Sequence, residues 1–336
     1  MARRRICISL AWDPRRVDTL LARARAADEA GVETLWVNEG FGHDAFSALT
    51  LLAWETSHIQ LGSGIVNVFS RTPGALAQHF ATLDQLSEGR IIVGLGTSGQ
   101  GVIERFHGMP YRKSIQRLRE TVELLRAFWG QERITYHGDV FDLERGLPLG
   151  VEPVRPAAPM YLATLHPRSV QMTAEVADGW LPVWIPTDRL ASEIARVREW
   201  ARAAGRDPDA FTVRAPGSVT VVNDPQKLEA ARGARAQNLA FFVARNGDFY
   251  YRQFGRHGLA DEAAAIKRAW DEGGREAGVA AVPAELPDRF DFVGDTEQCI
   301  ERLEAQAEMG VDLHPVTVVE DDPDVAAKVL EQLAGG

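Results

Sequence analysis

Strand-like and helix-like segments alternate along the whole chain, and this alternation constrains the fold more strongly than any other feature of the sequence. Short apolar runs are separated by longer segments in which apolar residues recur at helical spacing. The predicted strands are residues 5–10, 34–37, 59–67, 90–95, 160–163, 180–184, 211–222 and 311–319. They are apolar throughout, which is typical of strands that are buried on both faces of a parallel sheet.

A closed barrel accounts for eight strand–helix units better than an open, doubly wound sheet does, although the alternation alone fits both. We therefore predict an α/β fold, a (β/α)8 TIM barrel with insertions, and we expect residues 1–336 to form a single domain. Two segments interrupt the repeat. The alternating residues near 132–145 predict a β-hairpin insertion, and we interpret the mixed stretch near 239–290 as a helical insertion.

Local signals mark the ends of several predicted helices. Asp44 is positioned to cap the second helix. Asp295, with Gln298 three residues later, predicts a capping box. Gly31 and Gly310 each follow a helical segment and fit the left-handed residue that ends a helix.

Composition narrows the classes of partner. The formal net charge is −10, which argues against nucleic acid, because phosphate binding needs a basic face. No apolar run approaches the roughly 20 residues that a membrane-spanning helix needs.

We interpret Cys7 and Cys299 as buried hydrophobic residues and expect a cytoplasmic protein. No group of histidine, cysteine and carboxylate residues has the spacing of a metal site.

Glycine is concentrated near the carboxyl ends of two predicted strands, which is where barrel enzymes carry their active sites. Gly62, Gly64, Gly94 and Gly96 lie in or beside the third and fourth strands. Glycines in strands indicate either a flat ligand that lies against the backbone or tight packing inside the barrel. Two pairs at adjacent strand ends favour the ligand.

The turn at residues 164–168 leads into a helix and is a candidate anion site. Free backbone N–H groups at a helix start attract anions, and Arg168 adds positive charge. A phosphate site and an ordinary solvated turn fit this segment equally well. The run at 94–99 has the spelling Gly-x-Gly-x-x-Gly, but it lacks the acidic residue that a dinucleotide site needs after a second strand.

Three side chains are candidates for proton transfer. Glu39 and His43 follow the second strand, and a histidine and a carboxylate on one loop are suited to acid–base chemistry. His107 is a second candidate base, in the segment after the fourth strand. The competing interpretation of the first two is a solvent-exposed loop.

Aromatic residues near these strand ends are candidates to line an apolar substrate pocket. They include Trp12, Phe41 and Trp184. Aromatic packing in the core is the competing interpretation.

Four runs in the centre of the chain carry a resemblance to a known family: GSGIVN at 62–67, RTP at 71–73, ATLDQLSEGR at 81–90 and GLGTSG at 94–99. Together they closely resemble the luciferase-like monooxygenase superfamily. Within it the chain is most similar to the branch that uses the deazaflavin coenzyme F420, which includes the methylenetetrahydromethanopterin reductases. YLA at 161–163, EVADGW at 175–180 and FVG at 292–294 extend the resemblance over nearly the whole chain.

The resemblance implies a flavin-type cofactor across the end of the barrel. It implies a bulge with a non-prolyl cis peptide at Gly64–Ile65 in the third strand, which backs the cofactor ring, and it places Asn67 near the polar edge of the ring. It also implies that further cofactor contacts come from the glycine-rich end of the fourth strand, namely Gly96, Thr97 and Ser98.

For the cofactor phosphate, the resemblance implies the turn formed by Leu165, His166, Pro167 and Arg168. This agrees with the anion site suggested by the helix start. Relatives commonly have Gly-Pro where this chain has His166-Pro167, so the histidine is expected either to contact the phosphate or to crowd it.

The activity that the resemblance implies is hydride transfer between coenzyme F420 and a small organic substrate, with Glu39, His43 or His107 handling the proton. The alternative is an FMN-dependent monooxygenase of the same superfamily, which uses oxygen and flavin reduced by a separate reductase. Relatives often form homodimers, and the sequence leaves the oligomeric state open. A non-enzymatic flavin-binding protein is a further alternative. An aldolase is disfavoured, because no lysine is expected at a strand end to form a Schiff base.

Overall fold

Parallel strands and surrounding helices form the body of the protein in a computed structural model, which describes residues 3–130 and 133–335. The strands are β1 (Ile6–Ser9), β2 (Thr34–Val37), β3 (Gln60–Ser63), β4 (Val66–Asn67), β5 (Ile91–Gly96), β6 (Ile134–His137), β7 (Asp142–Gly146), β8 (Met160–Ala163), β9 (Gly179–Trp180), β10 (Thr212–Val213), β11 (Val219–Val221), β12 (Phe292–Gly294) and β13 (His314–Val318). Each strand predicted from the sequence overlaps at least one of them.

The helices cover the outside of the sheet and include three that form the insertion. They are α1 (Val17–Glu29), α2 (Ala45–Glu55), α3 (Pro73–Leu86), α4 (Gln100–Arg105), α5 (Ser114–Trp129), α6 (Pro167–Val176), α7 (Thr187–Ala203), α8 (Pro225–Arg245), α9 (Asp248–Arg256), α10 (Ala260–Ala280), α11 (Thr296–Glu308) and α12 (Pro323–Ala334). None of the helices in the described ranges is both long and apolar enough to cross a bilayer.

Eight of the strands form a ring. The neighbours run β10-β9-β8-β5-β3-β2-β1-β13, all in parallel pairs. The ring closes between β10 and β13, where Ala215 N donates to Leu313 O at 2.9 Å and Leu313 N donates to Val213 O at 3.2 Å. Eight parallel strands closed in this way are a TIM barrel, and the predicted fold is confirmed. Strands β11 and β12 extend the sheet beyond β13.

Two large aromatic side chains fill the inside of the barrel because glycines face them. Trp36 lies over Gly62, where a Cβ atom would overlap the indole ring. Tyr161 lies over Gly179, where a Cβ would come within 2.7 Å of the phenol ring. The two rings are 6.0 Å apart and belong to one buried cluster. At Gly62, therefore, the packing interpretation is correct and the glycine makes room for a side chain of the protein.

The third barrel strand breaks into β3 and β4 at a kink. The Gly64–Ile65 peptide between them is cis, at the position that the resemblance implied. Ser63 Oγ donates to Gly94 O at 2.7 Å and accepts from Gly94 N at 3.1 Å. A Cβ atom at Gly94 would overlap the carbonyl oxygen of Ser63. Glycine is therefore needed on β5 to let the kinked strand approach.

Some boundaries differ from those predicted. The seventh strand, predicted as one segment, is divided into β10 and β11. Between them, the chain at Gly217 passes so close to Phe290 O that no side chain fits there. The inserted helices begin at Pro225, well before residue 239. Strands β6 and β7 pair as an antiparallel hairpin that ends at Gly146, and Glu132, at the start of the predicted hairpin, lies outside the described residues.

The predicted helix caps are confirmed. Asp44 accepts from Ser47 N at 2.8 Å, and Asp295 forms a capping box with Gln298. Gly31 and Gly310 have φ values of 69° and 95°. Cys7 and Cys299 are both buried and free, as expected.

The contact between Ser63 and Gly94 predicts a strong effect of a single methyl group. Gly94→Ala is expected to lower the free energy of unfolding by about 3 kcal/mol or more, because the new Cβ would displace backbone atoms of a neighbouring strand. Gly150→Ala is the control, since nothing lies within 4 Å of a Cβ there, and a change below about 0.5 kcal/mol is expected. Urea unfolding measures both, and equal stability of the two variants would contradict the packing described.

Candidate active site

The sequence-predicted site residues lie mainly at one end of the barrel, where the carboxyl ends of the strands meet; we call this end the mouth. Gly64 and Ile65 form the kink after β3, and both are half-buried. Gly96 ends β5, and a Cβ there would come within 2.9 Å of Ile65 Cδ1. The kinked backbone and the end of β5 therefore pack directly against each other at the mouth.

Asn67, at the end of β4, organises the loop that follows and is almost fully buried. Its Oδ1 accepts from Phe69 N at 3.0 Å and from Ser70 N at 2.8 Å. Its Nδ2 lies 3.2 Å from His107 Nε2. Because Oδ1 is used by two donors, Nδ2 must donate to His107, and the hydrogen-bond network assigns the proton of the neutral imidazole to Nδ1. Two residues that were predicted separately are thus in direct contact.

Tyr111 is a site residue that the sequence did not identify. Its hydroxyl lies 3.1 Å from Thr97 Oγ1 and donates to Ser98 O at 3.2 Å. Ser98 is held at a φ of 54°, a left-handed conformation that is uncommon for a serine. The Tyr111 ring stacks on Phe69 at 5.3 Å. The tyrosine therefore fixes the Thr97–Ser98 turn from a separate segment, and no spacing motif links the two.

Glu39 is held in an ion pair. Its two oxygens accept from Arg71 Nη1 at 2.6 Å and from Arg71 Nη2 at 3.0 Å, and Oε2 also accepts from Ala45 N at 3.0 Å. Only 8% of the Glu39 side chain is exposed. A carboxylate with three donors stabilises the start of α2, which favours a structural role. Its role in proton transfer stays a prediction.

His43 and two of the predicted substrate-binding residues lie on exposed loops. The His43 ring is 5.2 Å from the Trp12 ring, and Trp12 Nε1 donates to Asp44 O at 3.0 Å. Phe41 is 72% exposed. The role of Trp12 and Phe41 in substrate binding stays a prediction.

Trp184, the third predicted substrate-binding residue, lies in the core instead. It is 8% exposed, and its ring lies 5.2 Å from Phe242, 5.8 Å from Phe254 and 5.5 Å from Phe290. The aromatic-core interpretation therefore fits Trp184, which has a left-handed backbone conformation with φ of 55°. The sequence left core packing open as the alternative but could not identify the three partners, because they are distant along the chain.

The turn at residues 164–168 offers hydrogen-bond donors to an anion. The amide groups of Leu165 and His166 donate to no acceptor in the part of the chain that the structure describes. His166 caps α6, accepting from Arg168 N through Nδ1 at 3.3 Å. Pro167 occupies the first helical position, where its missing N–H costs nothing. The donor set fits a phosphate group.

Two arginine side chains contribute positive charge near this turn. Burial, followed by the charges of Arg256 and Arg168, lowers the pKa of His166 below its ordinary value. Arg256 belongs to α9 of the insertion, and no sequence signal connects it to this turn. Within residues 3–130 and 133–335 no cluster of histidine, cysteine and carboxylate side chains is arranged to hold a metal ion.

The comparison with protein families identifies the chain. The family model described as luciferase-like monooxygenase matches residues 9–313. The chain belongs to the luciferase-like monooxygenase family. The predicted family membership is confirmed, and so is the prediction that the protein is an enzyme.

Individual relatives agree with this membership. A protein of Mycobacterium tuberculosis, provisionally named a coenzyme F420-dependent oxidoreductase, is 30% identical over 90% of this chain and 92% of its own. The 5,10-methylenetetrahydromethanopterin reductase of Archaeoglobus fulgidus is 29% identical over 85% of each chain. The solved structure of the coenzyme F420-dependent tetrahydromethanopterin reductase of Methanopyrus kandleri superposes with a TM-score of 0.84, at 23% identity over 99% of each chain.

The buried ion pair predicts that Arg71 stabilises the fold through Glu39. Arg71→Met is expected to lower the free energy of unfolding by about 2–4 kcal/mol, because it leaves a nearly buried carboxylate without its partner. Glu39→Gln added to Arg71→Met removes that unpaired charge and should recover part of the loss, as urea unfolding would measure. A cost below about 0.5 kcal/mol for Arg71→Met would contradict the pairing.

Proposed function

We propose that the protein is an oxidoreductase that transfers a hydride between coenzyme F420 and a small organic substrate. One arrangement carries the proposal: the kink at Gly64–Ile65 and the donor-rich turn at 165–168 lie at the ends of neighbouring parts of the barrel, β4 and β8, which both pair with β5. A cofactor with a flat ring and a phosphate tail needs both a surface against which the ring can lie and a site that binds the anion. The relatives named as F420-dependent support the choice of cofactor.

The residues present fit such a group. Gly64 and Ile65 provide the surface for one face of the ring, and Asn67, Gly96, Thr97 and Ser98 provide polar groups along one edge. Leu165, His166, Pro167 and Arg168 form the phosphate turn. When bound, the deazaflavin supplies hydride transfer chemistry, since it has carbon where flavins have the reactive nitrogen.

The chain itself supplies orientation and proton transfer. While Nε2 accepts from Asn67, neutral His107 presents Nδ1–H as a hydrogen-bond donor. The ring can release a proton only as imidazolium, which requires Nε2 to be protonated and to leave Asn67 Nδ2. His43, exposed beside Trp12, is free to exchange a proton with a substrate on the open side of the site. We expect one of these two rings to carry the proton that accompanies the hydride, with Glu39 holding the loop that bears His43.

Cofactor choice is tested by titrating the purified protein with coenzyme F420 and, separately, with FMN, while the tryptophan fluorescence is recorded. Saturable binding of F420, tighter than that of FMN, is expected. Bleaching of the oxidised deazaflavin absorbance with a panel of alcohols, and its return with ketones or imines, then identifies the substrate class. Tight binding of FMN without uptake of F420 would refute the proposal in favour of the monooxygenase.

Proton transfer is tested by His107→Gln and His43→Gln. Glutamine keeps a hydrogen-bonding group at each position but cannot carry the proton, so kcat should fall by about 100-fold for the histidine that does. KM is expected to change little, and the corresponding limb of the pH profile should disappear. His58→Gln is the control, because the His58 side chain is exposed and lies in the loop before β3, at the other end of the barrel. Full activity in both test variants would exclude both histidines.

A further inference from the structure

We propose that Arg252 and Arg256 of α9 bind the acidic tail of the cofactor beyond its phosphate, as a site for a chain of carboxylates. This inference rests on the proposed function, because coenzyme F420 continues from its phosphate into glutamate residues that are ionised at neutral pH. It assigns a recognition role to the inserted helices.

The first observation is that carboxylates neutralise few of the arginines near the turn at 165–168, although the protein has a net charge of −10. Neither Arg168 nor Arg256 makes an ion pair with a carboxylate among the residues described, and the Arg256 side chain donates only to Gln253 Oε1, at 2.6 Å. Arg252 lies 3.4 Å from Asp248, with side-chain exposures of 70% and 76%. An ion pair so exposed contributes little and is readily exchanged for another anion.

The second observation is that α9 is held in place by its buried face. Gln253 and Phe254 are buried, and Phe254 packs on Trp184 and on Phe290 at 5.8 and 4.9 Å. Arg252 and Arg256 are four residues apart and exposed, so they lie on one face of the helix, one turn from each other. The packing thus presents two guanidinium groups together.

The third observation connects these arginines to the phosphate turn. Arg256 and Arg168 both lie near enough to His166 for their charges, after burial, to lower its pKa. Burial and then the charge of Arg252 lower the pKa of Arg256 in turn. The positive field therefore continues from the start of α6 onto α9.

Two different anions suit the two parts of this field. The amide donors at 165–166 and Arg168 suit a single phosphate. Two guanidinium groups separated by one helical turn suit successive carboxylates of a flexible chain, since each guanidinium pairs with a carboxylate in a fork geometry. A tail that leaves the phosphate along α9 would meet Arg256 and then Arg252.

The test compares three ligands on the whole protein: coenzyme F420 with a long oligoglutamate tail, coenzyme F420 with a short tail, and the deazaflavin riboside that lacks the phosphate. Dissociation constants are measured by fluorescence for the unchanged protein, for Arg252→Gln/Arg256→Gln, and for Arg202→Gln. Arg202 is an exposed arginine in the last turn of α7, before β10, and serves as the charge-matched control for one substitution.

The expected result is a preference of the unchanged protein for the long tail that weakens with added salt. The double variant should bind the long-tailed cofactor about 3- to 10-fold more weakly, lose the preference for tail length and bind the riboside as before. Arg202→Gln should change none of these values.

Two results would overturn the inference: equal affinity of the unchanged protein for short and long tails, or an equal loss of affinity for all three ligands in the double variant. The proposed function fails separately, if neither the riboside nor any form of coenzyme F420 binds to the unchanged protein. Circular dichroism melting of the double variant confirms that it remains folded.

Discussion

The contact between Ser63 and Gly94 is the constraint on which the rest of the mouth depends. The third barrel strand turns away at residues 64–65, yet the ring stays closed, because β3 pairs with β5 before the kink. At the kink, Ser63 Oγ bonds both the N–H and the C=O of Gly94. Beyond the kink, β4 pairs with β5 again, in the register of Val66 with Leu95. Only a residue without a side chain on β5 permits this approach. The kinked backbone is thereby kept at the mouth without opening the barrel.

The Asn67 side chain holds the residues that follow the kink in a fixed arrangement. One buried side chain receives two backbone N–H groups and donates to His107, so the following loop and a candidate proton donor are positioned together. Each such hydrogen bond contributes only about 1 kcal/mol, but a buried amide left without partners would cost about 1–3 kcal/mol. Side-chain arrangements that leave the Asn67 amide without partners are therefore disfavoured. The tautomer of His107 follows from the observed arrangement, because Asn67 Nδ2 donates to its Nε2. Tyr111 stabilises the neighbouring Thr97–Ser98 turn in the same way.

The inserted helices are attached through an aromatic cluster around Trp184. Their buried faces form a core of their own that includes Phe254 and Phe290, and Arg252 and Arg256 are exposed on α9. The candidate site at the mouth consequently depends on two different parts of the chain. In the proposed function, the barrel strands provide the surface for the cofactor ring, whereas the insertion adds charge next to the turn at 165–168. Insertions are free to vary without disturbing the barrel.

Patterns that are local in the sequence determined the secondary structure, the barrel class and the helix caps of Asp44 and Asp295, because helical periodicity, apolar strands and caps each depend on residues within a few positions. The resemblance also located the kink at Gly64–Ile65. The partners of the site residues were decided only by the tertiary structure. Glu39 meets Arg71, Tyr111 meets Ser98, and Trp184 enters the core of the insertion. These contacts join residues from separate strands and loops, and the closure of the barrel, not any spacing along the chain, brings them together.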